Sequence, residues 1–111
     1  MSRALQADER LLGLLGLARR SGNLILGLEH LQVGMRRCHT VRIFADPGLA
    51  ERSRRELERM EEKHRGCRLF WMDNYDRIAD LLRKPGVRMV SVVDPGFLKG
   101  LDAWLDREAK D

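Results

Sequence analysis

The sequence predicts an α/β fold, a three-layer α/β/α sandwich with about four strands. Two observations carry this. The apolar periodicity switches between helical and extended about every 15 residues, as in alternating α/β chains. The extended pieces are short and mostly apolar, as strands are when helices cover both faces of a sheet. No internal repeat or low-complexity linker divides the 111 residues, so they read as one domain spanning 1–111.

The elements follow in chain order. A first helix is expected from about Asp8 to Arg20, because Leu11, Leu14, Leu15 and Ala18 share one face. Asp8 suits its start and Gly22 its end. Gly13 and Gly16 weaken that helix, and a close approach by another element would account for them. Leu24 to Leu26 reads as a short strand. A second helix starts near Gly27, with Leu28, Leu31, Gln32 and Met35 at helical spacing.

Val41 to Ala45 is β-branched and aromatic and reads as a buried strand, stopped by Asp46-Pro47-Gly48. Helix three is expected over about Leu49 to Arg65. It has a thin stripe of Leu49, Ser53, Leu57, Met60 and His64, and its charges cancel. Glu51–Arg55, Arg52–Glu56 and Glu61–Arg65 are spaced as i, i+4 pairs, so this helix reads as a solvated outer face. Gly66 turns the chain into a strand from Arg68 to Met72.

Asp73 or Asn74 then caps a fourth helix carrying Tyr75, Ile78, Ala79 and Leu82, which Arg83-Lys84-Pro85-Gly86 ends. Val87 to Val93 is the last strand. Asp94-Pro95 is spaced as a cap with proline at the first helical position. The final helix turns Phe97, Leu101, Trp104 and Leu105 toward the core.

Composition narrows the function. The chain is 43% hydrophobic and 34% charged, which suits a soluble globular protein, and cytoplasmic location is expected. No apolar run approaches the roughly 20 residues of a membrane span. Leu11 to Ala18 is short and preceded by Asp8 and Glu9, unlike a secretory signal. Cys38 and Cys67 have no CxxC pairing and read as reduced, partly buried thiols. With His30, His39 and His64 they form no ligand pattern, so no metal or cofactor is expected. There is no Walker loop, GxSxG or HExxH, so an enzyme is not expected.

The net charge is +4 and the pI about 9.6. Residues 1–42 hold seven Arg or Lys against three acids, whereas the rest of the chain is balanced. A one-sided basic surface favours a polyanion such as nucleic acid. The stretch Leu17 to Arg37 concentrates this charge in Arg19, Arg20, Arg36 and Arg37, against Glu29 alone. It also contains the start of helix two, where free backbone amides attract anions.

Leu14-Gly-Leu-Ala-Arg-Arg-Ser-Gly22, Gly27-Leu-Glu29, Arg42-Ile-Phe-Ala-Asp46 and Val92-Val-Asp-Pro-Gly-Phe97 occur in one order over most of the chain. Together they resemble the ribosomal-protein L-seven-Ae / L-thirty-e superfamily, in particular its small bacterial members of the YlxQ type. The resemblance implies the same sandwich, with a mixed sheet. It implies a non-catalytic protein that binds structured RNA, especially kink-turns in ribosomal or other non-coding RNA, on the ribosome or in its maturation.

In the well-known members the second helix opens with Gly-Thr-Asn-Glu and carries a lysine about one turn further on. Laid on this chain, Gly27 matches the glycine, Leu28 replaces the Thr, Glu29 the Asn and His30 the Glu, and Val33 stands where the lysine would be. Glu29 either accepts from a base amino group or complements the positive end of the helix. His30 is either a donor or acceptor to RNA or a plain surface residue. The loop before the last strand is a second contact zone by resemblance. Lys84 and Arg88 are free there to reach a phosphate, and Val87 to pack on an unstacked base. Arg36 and Arg37 add positive charge. The alternative reading is a protein-interaction module on the same fold that has lost kink-turn binding, motivated by Leu28 and Val33.

Overall fold

A computed structural model describes residues 5–108 of the chain. Five α-helices and four strands alternate along it: α1 (Glu9–Arg20), β1 (Leu24–Leu26), α2 (Leu28–Gly34), β2 (Val41–Ala45), α3 (Glu51–Lys63), β3 (Cys67–Trp71), α4 (Tyr75–Leu82), β4 (Met89–Val93) and α5 (Leu98–Glu108). A single 3-10 turn, Met35–Arg37, extends α2. The strands make one mixed sheet in the order β1-β4-β2-β3, with β2 and β3 parallel and the other pairs antiparallel.

Side chains alternate across a strand, so each strand serves two faces. Phe44, Phe70, Val90 and Val92 join Leu11 and Leu15 of α1, Ile78 and Leu82 of α4, and Leu101 and Trp104 of α5 in one core. Val41, Ile43, Ala45 and Met89 join Leu31 and Met35 with Leu57 and Met60 of α3 in another. Apolar residues therefore fill both faces of β2, whose five residues are all buried.

Most expected elements form, and their ends move where a side chain has a stronger use. Asp8 caps α1 through Leu11 N–H (2.9 Å), while its other oxygen accepts from Trp104 Nε1 (2.9 Å), tying α1 to α5. Asn74 begins α4 without capping it. Its amide pairs instead with both backbone groups of Ala7, at 2.7 and 3.0 Å. Helix three begins at Glu51 rather than Leu49, because the Asp46 carboxylate accepts from Gly48 N–H (2.8 Å) and holds 46–49 in a turn.

That helix stops at Lys63. The ring of His64 bridges Cys38 C=O (2.9 Å) and Gly66 N–H (3.1 Å), which fixes its backbone in an extended form. Of the three expected pairs, Glu51–Arg55 forms at 2.8 Å. Glu56 pairs with Arg59 instead, at 3.0 Å. Glu61 accepts from the Leu69 amide (2.7 Å) on the outer edge of β3, and Arg65 lies beyond the helix end.

Two further expectations are corrected. Asp94 does not cap the last helix. It has φ +43°, and its carboxylate accepts from the amides of His39 and Thr40 and from the Thr40 hydroxyl. These donors hold it away from α5, which starts at Leu98. The two glycines of α1 admit no neighbouring element either. Nothing lies within 4 Å of a side chain built at Gly13, and Gly16 meets only Arg20 of its own helix.

Arg42, one of the seven cations of the N-terminal third, is not surface charge. It is 7% exposed and grips Asp102 of α5 through two bonds of 2.8 and 3.0 Å. That hydrogen-bonded guanidinium holds the Asp102 carboxyl below the usual range.

Candidate nucleic-acid interface

Antiparallel pairing of β1 with β4 sets Leu26 opposite Val90. The end of β1 and the start of β4 therefore lie at the same edge of the sheet. The turn into α2 is made by Gly27 at φ +87°, a value that suits glycine, and its N–H donates to Met89 C=O (3.2 Å). On the other strand, α4 ends at Arg83 in a left-handed conformation, and Val87 N–H turns back to Lys84 C=O (3.0 Å). That turn delays β4 to Met89, two residues later than the expected Val87.

The two segments face each other across a groove of about 570 Å³. Gly27, Leu28, Glu29 and His30 line one side, and Lys84 and Val87 the other. Leu28 and Val87 are half-buried and give apolar walls, whereas Glu29, His30 and Lys84 are exposed. His30 Nδ1 lies 3.0 Å from the Leu26 carbonyl, so in the neutral ring it carries the hydrogen and leaves Nε2 as an acceptor. A smaller hollow of about 220 Å³ continues inward past Gly86 to Leu49, Leu57 and Met89. Ser53 lines both spaces, so α3 closes one side of the site. The sequence marked this contribution only through the Leu49, Ser53, Leu57 stripe.

Six of the ten candidate residues thus meet in one groove. The other four do not. Val33 is 80% exposed on the outer face of α2. Arg36 and Arg37 sit on the 3-10 turn at the far end of α2, about 12 Å from Leu28 at 1.5 Å per residue. Arg88 lines the inner hollow but is not free to reach a phosphate. Its guanidinium donates to Asp46 (2.6 and 2.9 Å) and Asp76 (2.8 Å) and lies over the Tyr75 ring at 5.0 Å.

Those contacts raise the Arg88 pKa, chiefly through the bonds to Asp76 and Asp46. Burial alone would raise Asp46, but the Gly48 amide and Arg88 outweigh it and leave its carboxyl lowered. Arg88 is therefore a brace for the loop that carries Lys84 and Val87.

The groove offers apolar walls, one cation, one carboxylate and an imidazole acceptor. Ser53 and His30 both line it, and among the described residues no hydrogen bond joins them. Cys67 is buried elsewhere, and burial with nearby Glu61 pushes its thiol up to about 12. Among the described residues, no cluster of His, Cys, Asp or Glu is arranged to hold a metal ion. No described helix is long and apolar enough to cross a membrane. No protein-family model, curated protein or solved structure matches this chain.

Proposed function

We propose that this chain is a non-catalytic RNA-binding protein of the L-seven-Ae / L-thirty-e kind. In this reading the groove between the start of α2 and the α4–β4 loop receives structured, kink-turn-like RNA. The observation that carries the proposal is the meeting of Gly27–His30 with Lys84 and Val87 at one sheet edge. Each segment is unspecific alone. Brought together, they offer what splayed RNA requires: apolar surface for an unstacked base, and polar groups for its edge and phosphates. The partner would be ribosomal or other non-coding RNA, and the setting ribosome maturation in the cytoplasm.

The test is a gel-shift titration with a kink-turn hairpin against the same hairpin lacking the bulge, repeated over a salt series. Lys84 is the one cation of the groove and neutralises about one phosphate, which predicts a log–log salt slope near −1. Lys84→Ala should weaken binding about tenfold and flatten the slope. Equal affinity for both hairpins, or full affinity in a Lys84→Ala, Val87→Ala double variant, would sink the proposal.

A second reading is a protein-interaction module on this fold. Leu28 and Glu29 favour it, since an apolar wall beside a carboxylate is less suited to phosphate. Partners that stay bound through ribonuclease treatment would favour this reading over RNA.

A further inference from the structure

A second hollow, of about 430 Å³, lies between α3 and the far end of α2. Its floor is Met35 and Met60, exposed by only 8% and 9%. Arg36, Arg59 and Lys63 stand around it with one acid, Glu56. The charges of α3 cancel in sum but are sorted by direction. Glu61 turns to the edge of β3, and Glu51 is paired with Arg55. Glu56 is already paired with Arg59. Among the described residues, Arg36 and Lys63 have no carboxylate within ion-pair distance, so this rim has a surplus of positive charge.

The lining chooses between anionic partners. Bases of an RNA strand bind by stacking on aromatic faces; this hollow has no Phe, Tyr or Trp, and its one ring, His64, is tied by both nitrogens to Cys38 C=O and Gly66 N–H. Two adjacent thioethers adapt instead to aliphatic side chains. An apolar floor under a basic rim complements a helix with apolar anchors at i and i+4 flanked by carboxylates. We propose that the hollow between α2 and α3 docks an acidic amphipathic helix of a partner protein. This site stands apart from the RNA groove and does not depend on it. If both hold, one short helix has RNA at its start and protein at its end.

The test uses the full chain labelled with ¹³C at the methionine methyls. The probes are a synthetic acidic amphipathic peptide of about 16 residues, long enough to form a helix, its lysine-for-glutamate counterpart, and oligouridine. The acidic peptide should shift the Met35 and Met60 signals and leave that of Met72, buried in the other core, in place. An Arg36→Glu, Lys63→Glu variant should bind it at least about tenfold more weakly and gain affinity for the lysine peptide. An unchanged Met72 signal in the variant reports an intact fold. Lys63→Glu alone gives the same direction if the double variant melts. The proposal falls if millimolar acidic peptide leaves Met35 and Met60 unmoved, or if charge reversal does not change its binding. It falls too if oligouridine, and not the peptide, moves those signals.

Discussion

Gly66 and Gly13 show how differently two glycines can act. A Cβ on Gly66 would lie 1.7 Å from the His39 carbonyl oxygen, a backbone atom that cannot step aside. Gly66→Ala should therefore cost about 2–4 kcal/mol, read as a lower urea midpoint. Gly13 is exposed in mid-helix with nothing within 4 Å, so Gly13→Ala should stabilise by about 0.5–1 kcal/mol in the same assay. The residue type alone marks Gly66 as a turn. Its steric need comes from a segment remote in sequence and is invisible locally. The Arg42–Asp102 pair is hidden for the same reason. Asp102→Ala leaves a buried guanidinium without its partner and should cost roughly 3 kcal/mol, whereas Arg42→Met with Asp102→Leu should be close to neutral.

At the scale of elements, the α4–β4 loop separates a bracing side chain from an exposed one that lines the groove. Lys84 is exposed and reaches the groove, while Arg88 is held by Asp46 and Asp76. Lys84→Ala should melt like the parent and lose RNA affinity. Arg88→Ala should melt lower by several degrees, since it frees Asp46 and uncovers Tyr75. A Lys84 variant that unfolds earlier than the Arg88 variant would reverse this assignment. The elements themselves were legible, because periods of 2 and 3.6 mark strands and helices from local residues. Their ends were less so. Asp94, Asn74 and His64 each serve a distant backbone group that no local pattern announces. The groove was half legible: both segments carry recognisable residues, but their meeting depends on which strand β1 pairs with. Arg36 and Arg37 looked adjacent to the site in sequence, yet a helix length separates them from it.

For the molecule as a whole, acid is the revealing stress. Arg42 lowers Asp102, the Thr40 amide lowers Asp94, and Leu11 N–H with Trp104 more than offset the burial of Asp8. With Asp46, four depressed carboxyls tie helices and loops to the sheet. A carboxyl depressed in the folded state contributes stability above its unfolded pKa of about 3.9 and loses it as pH falls through the folded value. The urea midpoint should therefore hold from neutral pH to about pH 4 and decline below it. A midpoint unchanged to about pH 3 would mean these bonds contribute little. The carboxylate of Glu61 on the Leu69 amide works outside the molecule instead. Beside it Leu5 already bonds to Trp71 C=O and Asp73 N–H, so a strand from another copy seeking to lengthen the sheet at β3 would have to displace both a carboxylate and the chain's own segment. Both features blunt that border against edge-to-edge pairing.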